Sequence, residues 1–328
     1  MSYIGRRRIY GNFTVILAIL VAAIFCGMVV LKLVSLHYSS VFQKNWRVNL
    51  LFKTRPLMLV SFPKNKTEKV IFVTLPDDLY VQVPWGYGMY RLASTEKLAQ
   101  LEHKTRLTED TIEDLLHLKI SASVSFPTIF DLKTNSAAQL TTDFKNANSF
   151  TKLIWDRRIS TLNLYDRIFL SGKLAFLRAD EQVLLNASAD SALYTHVTLP
   201  DQSRVMILNQ SRLEQYLEHR FEDEQIHQEA LLISVFNTTD TSNVASEFAQ
   251  ILTAIGGKVI STGNQKMPLG TCKLIVKTEK AKSKIIQFLQ REYACSLELS
   301  QTDPQEFSVY VGDKFAKRWV QTQKMIHF

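Results

Sequence analysis

With 328 residues the chain has room for about two ordinary domains. Its composition, 46% hydrophobic and 21% charged with only 11 Gly and 8 Pro, excludes a disordered chain and a disulfide scaffold. The net charge of +8 includes the cluster Arg6-Arg7-Arg8; the modest basic balance that remains suits an anionic membrane surface or an acidic polymer, and is too weak to indicate nucleic acid.

The first element is an apolar run from Phe13 to Leu31, FTVILAILVAAIFCGMVVL, followed by Lys32. About 19 residues at about 1.5 Å each span roughly 29 Å, close to the hydrocarbon thickness of a bilayer. The run has no polar stripe, as a buried core helix would, and no small-residue cleavage pattern follows it. It is therefore expected to be an uncleaved signal-anchor. Arg6, Arg7 and Arg8 precede the span and, by the positive-inside rule, stay in the cytoplasm. The expected organisation is a cytoplasmic tail (1–12), a transmembrane helix (13–34), a stalk (35–53) with His37, Tyr38 and Trp46 near the interface, a first extracytoplasmic domain (54–224) and a second (225–328). The two domains meet near the charged stretch LEHRFEDEQIHQE.

In the first domain, Leu57–Phe62 and Val70–Leu75 read as strands, with Leu79–Val83 extended and Pro84-Trp85-Gly86-Tyr87-Gly88 breaking the run. Thr95–Glu102 and Thr108–Leu118 read as helices, and Ile120–Phe126 alternates like a half-buried strand. Leu162–Leu177 is helical, Val183–Asn186 and Val205–Leu208 are strands, and Ser211–Phe221 is a helix. The second domain alternates regularly. Strand Leu231–Phe236 is followed by a helix from Ser242 to Ile255, with Val244, Phe248, Leu252 and Ile255 on one face. Gly256-Gly257 ends that helix as a left-handed cap. Strands Lys258–Thr262 and Cys272–Lys277, helix Ala281–Tyr293, and strands Ser296–Leu299 and Phe307–Val311 complete it. The expected fold class is α+β, an α-β sandwich, with helices on one face of a small sheet. Cys26 falls in the apolar run. Cys272 and Cys295 are expected as buried free thiols, with a disulfide as the open alternative.

LLISVFNTTD, EFAQILTAIGGKVISTGN and FSVYVGDKF, in that order, resemble the LytR C-terminal domain family over about Leu231 to Trp319, with Thr238 where the family usually has Gly. MLVSFPKNKTEKVIFVTLPDDLYVQVP, TEDTIEDLLHLKISASVSF, ISTLNLYDRIFLSGKLAFLRADEQVLL and VTLPDQSRVMILNQSRLEQYLEHRF resemble a divergent LytR–CpsA–Psr domain. That family transfers glycopolymers from a polyprenyl-pyrophosphate carrier to the cell wall, chemistry that needs arginines clamping the pyrophosphate and acidic residues helping to hold a divalent metal. Here Asp77 stands where the family has an Arg, Asp78 matches the motif Asp, and Arg91 stands where a Lys is common. No counterpart of the family's Arg-x-x-Arg-Gln helix is visible, and residues 126–151 offer Lys133 and Lys145 but no arginine. An Asp77 carboxylate would repel a pyrophosphate.

The candidate catalytic residues are thus Asp78, Arg91 and Arg157, with Arg158 beside the last and Arg167 further on as a possible phosphate contact. Trp85 and Tyr87, on a glycine loop, suit stacking on sugar rings, and the loop opened by Asn237 leads into a helix N-terminus whose free N–H groups suit an anion. Each has a plainer role: Asp77-Asp78 as a solvated strand end, the aromatics as a turn anchor, the arginines as exposed charge. Asp77 and Asp78, if in a strand, point to opposite faces and do not serve one ion. His219 and His227 sit on an acidic helical stretch as solvated residues, and Lys314–Phe328 reads as a frayed terminal helix. No metal-ligand spacing, P-loop, nucleophile elbow or Rossmann fingerprint appears.

The resemblance implies a plasma-membrane, cell-envelope protein whose degenerate, non-catalytic module binds wall glycopolymer or a polyprenyl-linked precursor, or organises envelope partners. Two alternatives stay open. One is an active glycopolymer transferase, the only reading that requires Mg2+. The other is a bitopic cell-division-type scaffold. No other cofactor and no nucleic-acid partner is expected.

Overall fold

The structure is a computed structural model that describes residues 4–65, 68–129, 142, 153–156, 160–199, 202–301 and 306–319, with backbone alone for 4–14, 16, 44 and 126–129. Arg157, Arg158, Lys133, Lys145 and the terminal residues from 320 onward lie outside these. The chain opens with helix α1, Ile4–Tyr38, within which Leu17–Tyr38 is long and apolar enough to cross a membrane. The helix is longer than the 13–34 span expected from hydropathy, because no proline interrupts it and Gly5, Gly11 and Gly27 are isolated within it.

A short helix α2 (Val41–Lys44) leads into strand β1, Arg47–Arg55. This corrects the expected stalk. The polar residues that disguised β1 are matched inside the fold: Arg47 pairs with Glu68 at 3.1 Å, Asn49 accepts a hydrogen bond from Ser61, and Lys53 pairs with Glu109 at 3.1 Å. Strands β2 (Leu57–Pro63) and β3 (Val70–Leu75) follow, then β4 (Leu79–Val83) and β5 (Gly88–Arg91). Helices α3 (Thr95–Leu101) and α4 (Leu107–Leu116), strand β6 (Ala122–Ile129), helix α5 (Leu164–Phe176) and strands β7 (Gln182–Asn186), β8 (Tyr194–Thr198) and β9 (Arg204–Leu208) complete the domain with helix α6 (Gln210–Leu217).

The central sheet has the order β6-β1-β2-β3-β7. Its middle three strands are antiparallel and its two edges pair in parallel. Strand β2 is buried along its whole length, as a strand covered on both faces must be. Its alternate residues divide between two cores. Met58, Val60 and Phe62 face Leu170 and Leu174 of α5, whereas Leu57 and Leu59 face Ile112 and Leu116 of α4 and Leu79 and Val81 of β4. The central sheet is therefore the middle layer, with α5 on one side and α4 plus a second sheet, β5-β4-β9-β8, on the other. Strand β8 escaped prediction because YTHVT is polar and exposed on an edge.

A short helix α7 (Glu224–Glu229) precedes the second domain: β10 (Leu232–Asn237), α8 (Val244–Ala254), β11 (Lys258–Asn264), β12 (Cys272–Val276), α9 (Lys284–Tyr293), β13 (Ser296–Leu299), β14 (Phe307–Val311) and α10 (Asp313–Trp319). The sheet order is β11-β10-β14-β12-β13, with only β12 and β14 antiparallel. Phe248 and Leu252 of α8 and Ile286 and Leu289 of α9 cover one face. Gly256, at φ +96°, closes α8 as its sequence implies.

Cys272 and Cys295 are bridged, which corrects the free-thiol expectation. Strands β12 and β13 lie side by side with Lys273 opposite Ser296, so the two cysteines are brought to a Cα separation of 4.6 Å. Closing a loop with a sequence separation of 23 contributes about 3 kcal/mol on the chain-entropy account. The tail is corrected as well. Up to Trp319 it is a docked helix, with Phe315, Ala316 and Trp319 buried, and Arg318 reaches across to α4 of the first domain.

Candidate functional site

The N-terminal end of α5 rests on the end of α1. Asn163 caps α5 by accepting from the Asp166 N–H at 2.8 Å, and its Nδ2 donates to the Leu36 carbonyl at 3.4 Å and to Ser39 at 3.3 Å. Asp166, buried, accepts from the Ser40 hydroxyl and from the Val41 N–H at 3.2 Å. His37 meets Tyr165 edge-on at 5.2 Å, and Phe42 packs on Phe169 at 4.9 Å. The first turns of α5 are thus fixed to the residues that immediately follow the membrane-length helix.

Arg167 lies at this join. It is only 3% exposed, and among the described residues its Nε and Nη1 have no hydrogen-bond partner. Buried N–H donors left unsatisfied cost about 1–3 kcal/mol. Its planar fork matches the oxygens of phosphate or carboxylate. The sequence offered Arg167 as a possible phosphate contact, with exposed charge as its plainer role. A signal was present all the same: Arg167, Leu170 and Leu174 are spaced i, i+3 and i+7, one buried helical row.

The other expected site residues are not gathered there. Asp77 and Asp78 occupy the turn between β3 and β4, Asp77 partly buried and Asp78 exposed. Burial raises the Asp77 carboxyl above its ordinary range, Arg55 opposing. Tyr80 pairs with Arg91, so Asp78 and Arg91 flank one end of the β4–β5 hairpin. That hairpin belongs to the layer on the opposite face of the central sheet from α5. Arg157 lies outside the described residues. Trp85 donates through Nε1 to Asp110 at 3.0 Å, Tyr87 donates to Glu102 at 2.9 Å, and Lys104 stands over both rings. Asn237 is buried and staples its own loop: its Oδ1 accepts from the Thr239 N–H at 2.9 Å and its Nδ2 donates to the Thr241 carbonyl at 2.7 Å. His219 and His227 both reach Glu222. Among the described residues no group of three His, Cys, Asp or Glu is arranged to hold a metal.

A cleft of about 510 Å3 opens where the two domains meet, lined by His117, Gln210, Leu213, Leu217, Thr253 and Ala254 among others. His117, the left-handed cap of α4, lies with Nε2 2.8 Å from Gln210 Nε2, and burial lowers it to about 4. An amide nitrogen can only donate, so the facing ring nitrogen accepts and the imidazole is neutral. A depressed folded value gives stability that is complete above the unfolded value near 6.5 and is lost as pH falls through about 4. The expected loss over that window is about 3 kcal/mol. His117→Asn, which tolerates the left-handed backbone and does not titrate, should be correspondingly less acid-sensitive. Denaturant midpoints of the two chains between pH 7 and pH 4 would show it, and parallel losses would refute it.

A membrane-length apolar helix leading into a three-layer mixed domain and a two-layer domain defines a mixed α/β protein with several sheets. No protein-family model matches the sequence, and no curated protein matches it. Among solved structures the chain is similar to a transcriptional regulator from Enterococcus faecalis, at 12% identity over 54% of this chain and 90% of that one, TM-score 0.36. It is also similar to B. subtilis TagU, at 11% identity over 52% and 94%, TM-score 0.30. A third likeness is to the C-terminal domain of RV0431, at 20% identity over 25% and 72%, TM-score 0.22. These values are too low to assign a family.

Proposed function

We propose that this chain is a single-pass cell-envelope protein whose first domain recognises an anionic, membrane-borne ligand of the polyprenyl-pyrophosphate class, and that it acts as a recognition module. The observation that carries this reading is Arg167, whose Nε and Nη1 are buried without a hydrogen-bond partner among the described residues, in the first turn of α5 beside the end of α1. A phosphate group on a lipid carrier reaches the protein at that height. The sequence resemblance to LytR–CpsA–Psr domains favours the same ligand class. Two observations favour an anchor whose bulk lies outside the cell. The end of α1 makes folded contacts with α5, which a cleaved leader would not, and the Cys272–Cys295 bridge suits an oxidising compartment.

Recognition is preferred to transfer on chemical grounds. Asp77 stands at the family's arginine position, and Asp78 and Arg91 sit across the sheet from Arg167. The test uses the full chain in lipid nanodiscs loaded with polyprenyl pyrophosphate or with the uncharged polyprenol. Selective retention of the pyrophosphate is expected, with no metal-dependent release of pyrophosphate from the glycan-linked form. Equal retention of both lipids would remove the ligand class and leave a scaffold; release would restore the transferase.

A further inference from the structure

The outward side of α5 is apolar along its whole length. Leu164 is 38% exposed, Ile168 52% and Phe176 84%. These residues, with Gly172 and Ala175, form one row at spacings of three and four, and no charged residue interrupts it. The buried row of the same helix is also apolar at Leu170 and Leu174. A surface helix of a soluble domain has a polar outer face, so this one has an unexplained second apolar face. Trp155, two residues from Leu153 of the same core, is 81% exposed as well. The other exposed apolar residues of the described ectodomain, such as Leu101, Ile260 and Leu299, are on separate elements, which is the ordinary condition of a protein surface.

The position of α5 names the occupant. The expected transmembrane span ends at Val34, and the Leu36 carbonyl, two residues on, accepts from the α5 cap residue Asn163. At about 1.5 Å per residue that is about 3 Å beyond the hydrocarbon edge, at the boundary of acyl chains and headgroups that interfacial helices occupy. Lys173, on the flank of α5 over the Phe169 ring, supplies a cation that such a layer favours. We infer that α5 is an interfacial helix whose row Leu164, Ile168, Gly172, Ala175 and Phe176 lies on the bilayer leaflet from which α1 emerges. The domain is then held to the membrane at two places and cannot swing freely about α1. The inference stands on the placement of α5 and does not require any ligand at Arg167.

The test places a nitroxide at Ile168→Cys or Phe176→Cys in the full chain, in a Cys26→Ser background with the native disulfide intact. Leu101→Cys and Ile260→Cys serve as water-facing controls. Chains are reconstituted one per nanodisc of phosphatidylethanolamine and phosphatidylglycerol. Collision of the label with oxygen and with a water-soluble nickel chelate is then measured. At residues 168 and 176 oxygen is expected to dominate several-fold, with the reverse at the controls. Labels as open to nickel as the controls would overturn the inference. So would labels shielded from both relaxants, meaning cover by protein, or labels shielded only at two chains per disc with dipolar broadening, meaning contact with a second copy.

Discussion

Replacing Arg167 with methionine is expected to raise the stability of the ligand-free chain by about 1–4 kcal/mol and to abolish its retention of polyprenyl pyrophosphate. The side chain is nearly as long and wholly apolar, and it enters a row already formed by Leu170 and Leu174. What it removes is a guanidinium whose Nε and Nη1 are buried without hydrogen-bond partners among the described residues. A group that weakens the empty fold is explained when it serves a ligand. The converse follows by linkage: at about a hundredfold excess over Kd the pyrophosphate lipid should stabilise the parent chain by about 2.7 kcal/mol and the methionine variant not at all. Arg167→Lys keeps a charge but loses the fork, so retention should weaken without vanishing. Denaturant unfolding of the full chain in nanodiscs, with and without the lipid, reads all of these. If Arg167→Met destabilises the chain as a large-to-small core change would, and lipid retention persists, Arg167 is a structural residue.

The parts of this fold that could be read from sequence are those in which one periodicity accounts for burial. The apolar run of α1, the fully buried β2 and the alternating elements of the second domain declared themselves because nearly every core position in them is aliphatic or aromatic. The parts that were missed bury polar groups. RVNLLFKTR did not look like a central strand because Arg47, Asn49 and Lys53 are soluble-looking residues whose partners lie elsewhere in the chain, at Glu68, Ser61 and Glu109. Pairing across long sequence separations leaves no local trace. The candidate site failed for the same reason. Arg167 reads as surface charge until α5 is seen lying on the sheet, and Arg318 reads as part of a loose tail until its acidic partners on α4 are in view. The apolar excess of α5 on both of its sides was legible, but its meaning depends on the contact with α1.

Truncating Arg318 to alanine is expected to cost about 3–5 kcal/mol and to loosen the junction between the domains. Arg318 is carried by α10 and largely buried against α4. Its Nε donates to Asp114 Oδ1 at 2.7 Å, its Nη1 and Nη2 to Glu113 Oε2 at 3.1 Å each, and Nη2 also to the Asp110 carbonyl at 2.9 Å. Its own carbonyl accepts from the Trp85 N–H at 3.1 Å, which ties in the glycine loop. Burial would raise Glu113, but Lys119, Arg318 and Arg106 together outweigh it and hold the carboxyl below its ordinary range. For Asp114 burial prevails over Arg318 and lifts it to about 7. Removing the guanidinium therefore strips cation from two largely buried carboxyl groups, and Arg106 and Lys119 compensate only Glu113, which they already contact. Arg318→Lys should recover part of the loss, because one ammonium cannot serve three acceptors in the fork geometry. Arg178→Ala, breaking an exposed pair with Asp180, should change stability by no more than about 1 kcal/mol. Hydrogen exchange supplies the second readout. With Arg318→Ala, protection should fall along α4 and α10 while the central sheet and β10 keep theirs. A uniform loss across both domains, or no loss beyond that of Arg178→Ala, would mean that the cluster does not hold the domains together.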